Sequence, residues 1–163
     1  MRPPKDQWFL DIARLVAQRS TCIRRSVGCV LVNSLGHIIA TGYNGVAAGL
    51  PHCNEEALLG DDLRNPFELI ASYSNRCRGA ESAPGTNLDA CEAIHAEQNA
   101  LLQCHDVQGI DTCYTTTSPC ISCVKRLMNT SCQRIVFTDG YPQPGARLLW
   151  QKKFPQPDRW VQL

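Results

Sequence analysis

The chain has 163 residues, 44% hydrophobic and 19% charged, a balance that suits one globular domain with a buried core and excludes a disordered composition. A formal net charge of +1 gives no basic excess, so nucleic acid is not an expected partner. No apolar run is long enough to cross a bilayer, and the stretch from Met1 to Gln7 leads into an amphipathic segment without a secretory core. A cytoplasmic location with no membrane partner is therefore expected. Its ten cysteines should then stay reduced and divide among metal ligation, catalysis and burial.

Trp8, Ile12, Leu15 and Val16 recur at helical spacing and predict an amphipathic helix from Asp6 to Arg19. Two β-rich runs follow, Val27 to Val32 and His37 to Gly42, and the turn residues Asn33-Ser34-Leu35-Gly36 between them predict a hairpin. The pattern weakens from Glu55 to Asp89. Leu58-Leu59 and Phe67-Glu68-Leu69-Ile70 allow one or two helices there, while Ser82 to Asn87 reads as loop, so 55–89 is expected to be an insertion in a single domain covering 1–163. A second helix is expected from Ala93 to Cys104, then a strand at Cys113 to Thr117 and a helix at Cys120 to Asn129. Arg134 to Thr138 reads as a strand, Ala146 to Lys152 as a short helix, and Trp160 to Leu163 as a last strand. This order predicts an α/β fold, a three-layer α-β-α sandwich around a mixed sheet of about five strands.

The chemistry-bearing residues are His95-Ala96-Glu97 and, downstream, Pro119-Cys120-Ile121-Ser122-Cys123. Alone, a Cys-x-x-Cys pair also suits structural zinc or a redox couple. Paired in this order, the two motifs are the signature of zinc deaminases of nucleobases. Three protein ligands, His95, Cys120 and Cys123, leave the fourth tetrahedral position of zinc for water. Glu97 is then the general acid and base, since a structural site would give that residue no task. Pro119 can open a helix, whose N-terminus favours thiolates. Near a helix start, His95 and Glu97 can both reach forward to one site.

Four further stretches sharpen the match: Arg19 to Gly28, Thr41 to Gly45, Gly49 to Cys53 and Cys91 to Ala100. With the zinc motifs, the chain closely resembles the deoxycytidylate (dCMP) deaminases of the cytidine/deoxycytidylate deaminase superfamily, bacterial and phage members included, from about Trp8 to Asp139. The resemblance implies a cytidine-deaminase-like fold and hydrolysis of dCMP to dUMP for thymidylate synthesis, in the host cytoplasm for a phage member. It implies a substrate contact from Asn44, and phosphate binding by Arg24 and Arg25, for which a solvated basic turn is the plain alternative. A homo-hexamer activated by dCTP and inhibited by dTTP, with magnesium accompanying the triphosphate, is also implied. Some members carry a second, structural zinc at the places of Cys22 and Cys53. Cys91 and His52 would complete four ligands, with Cys77 a rival and simple burial the alternative. Cys29, Cys104, Cys113 and Cys132 are expected to pack. Ala47 stands where the family usually has proline, and the tail after Asp139, including Tyr141, matches less well. Alternative readings are a related deaminase of tRNA adenosine, cytidine or a riboflavin-pathway pyrimidine, an inactive nucleotide-binding regulator, and a structural zinc module.

Overall fold

The structure is a computed structural model that describes residues 2–50, 52–53, 79, 82–83, 86–87 and 91–163. Helix α1 (Lys5–Ala17) opens after Pro4 and carries Asp6 in its first turn. Its buried stripe is Phe9, Leu10, Ala13 and Ala17. That corrects the expected face: Trp8 and Leu15 are largely exposed, and Ile12 and Val16 sit at the margin of the core. The physical reason is close approach. Small residues at 13 and 17 let the helix lie directly on Gly28 of the sheet, where a Cβ would stand 2.0 Å from the Ala13 carbonyl oxygen.

The predicted hairpin is present. Strands β1 (Gly28–Val32) and β2 (Ile38–Tyr43) pair antiparallel, with a register shift between Leu31 and Val32. Asn33 organises the turn: its side-chain oxygen accepts from the amides of Leu35 and His37, and Gly36 adopts a φ of 83° that suits glycine. Helix α2 (Ala96–Gln103) leads into β3 (Thr112–Thr117), α3 (Ile121–Met128), β4 (Arg134–Asp139), α4 (Pro144–Lys153) and β5 (Trp160–Gln162). The five strands form one sheet in the order β2-β1-β3-β4-β5, in which β3, β4 and β5 are mutually parallel and β1 runs antiparallel to both of its neighbours, β2 and β3. The sheet is mixed, as expected.

Strand alternation sorts side chains onto two faces. Val30, Val32, Tyr114 and Val136 meet Phe9, Leu10 and Ala13 of α1 on one. Cys29, Leu31, Cys113, Ile135 and Phe137 meet α2, α3 and α4 on the other, through Ala96, Ala100, Val124, Leu127 and Trp150. The result is the α-β-α sandwich. Cys29, Cys113 and Cys132 are fully buried and Cys104 packs at the core margin. The start of α1 is tied to the sheet by Arg134, which donates two hydrogen bonds to the Asp6 carboxylate at 2.8 and 2.7 Å, and by the Tyr114 hydroxyl at 2.7 Å. No helix among the described residues is long and apolar enough to cross a membrane. The expected helices between Leu58 and Ile70 lie outside the described residues, as does Cys77.

Candidate active site

Two helix starts build the site. Helix α2 begins at Ala96 rather than at Ala93, because Ala93-Ile94 is spent on tertiary pairing: Ile94 and Gly45 exchange backbone hydrogen bonds of 2.8 and 3.1 Å. His95 is consequently the extended N-cap residue and Glu97 lies in the first turn. This removes the divergence that two residues so close would have in mid-helix. The second start is similar. Cys120 is the extended N-cap of α3, Cys123 lies in its first turn, and Pro119 is buried ahead of the cap rather than inside the helix.

Among the described residues, one group of three or more potential metal donors converges: His95, Cys120 and Cys123. His95 Nδ1 lies 3.4 Å from each sulfur, and the two sulfurs are 3.6 Å apart. Zinc with Zn–S near 2.3 Å and Zn–N near 2.0 Å needs tetrahedral edges of about 3.5–3.8 Å, so these donors fit the ion. Their electrostatics agree. The Cys120 thiol is held down to about 4, first by its hydrogen bond with Cys123 and then, against the opposing effect of burial, by His95. Cys123 is pushed up by sharing that bond and by burial, so metal binding there must displace a proton.

Glu97 stands outside the donor cluster but beside it, its Oε2 3.5 Å from Cys123 Sγ. At 4% exposure it is a buried acid, and burial raises its carboxyl above the ordinary range. A carboxyl so placed can take up and return a proton without ligating the metal.

One pocket joins His95, Glu97 and Cys120 to Asn44, Arg24, Arg25, Cys22 and Cys91, with Cys123 buried behind its wall. Asn44 is buried and acts as a strut: its Oδ1 accepts from the Val27 amide at 2.8 Å and its Nδ2 donates to the Arg25 carbonyl at 2.7 Å. Cys22 is held down to about 5, chiefly by its hydrogen bond with Cys91. Cys53 and Cys91 pack in one small cluster with Ala93, and His52 Nδ1 lies 3.2 Å from Thr21 Oγ1.

The pocket also contains Thr117, Ser118 and Tyr141, none of which was singled out from the sequence. Thr117 ends β3, and Ser118 and Tyr141 lie just beyond the carboxyl ends of the parallel strands β3 and β4, where open α/β sheets bind ligands, and that position was the available signal. Ser118 joins the two loops, donating its amide to the Asp139 carbonyl and accepting from the Tyr141 amide at 2.7 Å.

Comparison with known proteins agrees with this geometry. Residues 3–139 match the family model described as the cytidine and deoxycytidylate deaminase zinc-binding region. A deoxycytidylate deaminase from a Mycobacterium phage is 36% identical over 138 residues, covering 83% of this chain and 95% of that protein. The Schizosaccharomyces pombe deoxycytidylate deaminase is 36% identical over 142 residues, covering 86% of this chain and 38% of the relative. The chain thus spans about two-fifths of the yeast relative's length. A cyanophage dCMP deaminase solved with dCMP and dUMP superposes with a TM-score of 0.67 at 24% identity, over 100% of this chain and 99% of that one, and shares the fold. On the match across residues 3–139, the chain belongs to the zinc-binding cytidine and deoxycytidylate deaminase family.

Proposed function

We propose that the chain is a dCMP deaminase that hydrolyses dCMP to dUMP and ammonia. The observation that carries this reading is the convergence of His95, Cys120 and Cys123 beside the buried Glu97 carboxyl, in a pocket that also holds two arginines. The deoxycytidylate deaminases at 36% identity support the choice of base and of monophosphate.

His95, Cys120 and Cys123 would hold the zinc, which would supply a water activated near neutral pH, because coordination lowers its pKa to about 7. The Glu97 carboxyl would take one proton from the attacking water and deliver it to the pyrimidine ring nitrogen, then take the second from the same oxygen and pass it to the amine, which leaves as ammonia. Its buried position keeps the carboxyl from being a free surface anion and suits this two-way traffic. Asn44 keeps the 25–27 backbone in place at the pocket wall and presents its remaining amide capacity to the substrate. Arg24 and Arg25 supply positive charge for the phosphate.

The same reading gives one deaminase domain over 1–163, working in the cytoplasm to supply dUMP for thymidylate synthesis. It includes a homo-hexamer activated by dCTP and inhibited by dTTP, with magnesium on the triphosphate, supported by the resemblance of the 19–28 and 41–45 stretches. A second, structural zinc at Cys22, Cys53, Cys91 and His52 rests on the resemblance; the Cys22–Cys91 hydrogen bond supports one pair of its donors, while the four do not converge as His95, Cys120 and Cys123 do. The test is ammonia release from dCMP, CMP, deoxycytidine and adenosine by zinc-loaded protein. dCMP is expected to be the preferred substrate, and preference for adenosine or for deoxycytidine contradicts the assignment.

A further inference from the structure

Asn99 is an odd residue for the middle of α2. Asparagine forms helices poorly because its amide competes for backbone groups in other conformations, yet here it stands beside Ala100 in a helix of eight residues. Its hydrogen bonds give it two tasks. The backbone amide donates to the His95 carbonyl at 2.9 Å, closing the turn that begins at His95 and contains Glu97. The side chain leaves the helix altogether: Nδ2 donates at 2.8 Å to the carbonyl of Tyr43, the last residue of β2.

Tyr43 precedes Asn44, and Gly45 follows it. Gly45 is tied to the residue just ahead of His95 by the backbone pair with Ile94. Asn44 therefore lies between two anchors on the 94–99 segment, one made by backbone and one by the Asn99 side chain. Its own amide holds the Val27 amide and the Arg25 carbonyl, which fixes its orientation and leaves its distance from Glu97 to the flanking backbone. The close approach of Gly42 to Ala96 and Ala100 sets how near strand and helix lie. The directional Asn99 bond sets how they are aligned along one another. Asn44 and Glu97 both line the pocket, so this alignment is the spacing between two of its walls.

We infer that Asn99 is a positioning residue that, by holding the Tyr43 carbonyl, keeps Asn44 at the distance from Glu97 that the nucleotide spans. This rests on the dCMP reading of the site, in which Asn44 contacts the substrate, and deepens it. Asn99 touches neither substrate nor metal; it acts through Asn44. Without its donor the Asn44 wall keeps its own hydrogen bonds but loses its alignment with α2, so a ligand that reaches Glu97 meets Asn44 out of place.

The experiment measures zinc per chain, thermal melting, kcat and KM for dCMP, and the inhibition constant of dUMP in the parent, Asn99→Leu, Asn99→Asp and Leu102→Gly. Leucine and an ionised aspartate have nearly the shape of asparagine and cannot donate the bond. Leu102→Gly is the control, weakening the same helix at a position 77% exposed. Both Asn99 variants are expected to keep the parent's zinc and to raise KM and the dUMP constant about 10-fold, with kcat changed less. Leu102→Gly should also melt lower, while both constants stay within about twofold of the parent's. In an Asn44→Ser background, the effect of Asn99→Leu should shrink to about twofold, because the two residues act as one unit. The inference is overturned if the Asn99 variants shift the constants no more than Leu102→Gly does, if they lose zinc together with affinity, or if the full effect survives in the Asn44→Ser background. Asn99→Asp carries the same comparisons where Asn99→Leu does not fold. A parent without turnover on dCMP refutes the dCMP reading itself, whereas an active parent whose Asn99 variants match the control refutes the Asn99 assignment alone.

Discussion

Glycines on opposite faces of the sheet separate what stability needs from what the site needs. Gly42 of β2 lies beneath α2, and a Cβ there would stand 2.3 Å from both the Ala96 carbonyl oxygen and the Ala100 amide nitrogen. These are backbone atoms with no rotamer to yield, so Gly42→Ala must push the helix away by about 1 Å to restore an ordinary contact. That helix carries Glu97 in its first turn and has His95 as its cap. Overpacking of this kind costs about 1–3 kcal/mol, which in a domain of this size lowers Tm by roughly 3–10 °C. A displacement of about 1 Å between Glu97 and the Cys120–Cys123 helix start should also cut turnover by about 100-fold in protein that remains folded. The control is Gly28→Ala, whose Cβ would meet the Ala13 carbonyl oxygen at 2.0 Å, in α1 on the other face. It should destabilise at least as much while leaving zinc content and turnover per folded molecule near the parent's. Thermal melting, zinc per chain and initial rates on the folded fraction decide the matter. If Gly28→Ala damages turnover as much as Gly42→Ala, or if Gly42→Ala leaves it intact, the argument that α2 placement governs the site is refuted.

Metal analysis should find less than the parent's zinc in Cys22→Ser and Cys91→Ser; unchanged zinc in both variants removes the second site. Rates against dCMP should give a sigmoidal curve that dCTP with magnesium shifts to lower concentration and dTTP opposes, because each triphosphate must favour one of two states; superimposable hyperbolas refute the control. Asp6 is held below its ordinary 3.8, chiefly by the hydrogen bond from Arg134, so its contribution is complete above that value and is lost as pH falls through the lowered one. Asp6→Asn should therefore cost about 1 kcal/mol near neutral pH, a figure reduced by solvent screening at this half-buried pair. Denaturant titrations should show the gap from the parent closing in acid, and a gap constant down to the most acid pH contradicts the linkage.

The sheet was legible because β1, β3 and β4 are short runs of β-branched, aromatic and other apolar residues, buried on both faces, and such runs stand out from the segments around them. The buried face of α1 was not, because its contact with the sheet uses Ala13 and Ala17 against Gly28, and small size carries no hydrophobic signal. The early start assigned to α2 has a related cause: Ala93 and Ile94 are compatible with a helix, and only pairing with Gly45 draws them out of it. His95, Glu97, Cys120 and Cys123 were readable since metal and proton chemistry restricts both residue type and spacing. Arg24 and Arg25 look alike in sequence, and their different partners depend on Ser82, Ala83 and Tyr141, which are remote along the chain.

The central claim is that Glu97 moves protons beside a zinc held by His95, Cys120 and Cys123. The most direct test measures zinc content and ammonia release from dCMP together, in the parent and in Glu97→Gln. The account predicts equal zinc in both proteins and turnover in the variant lower by about 100- to 10,000-fold, the usual worth of a general acid and base. Undiminished turnover in Glu97→Gln would contradict the proton-transfer role, and loss of its zinc would contradict the separation of Glu97 from the metal ligands.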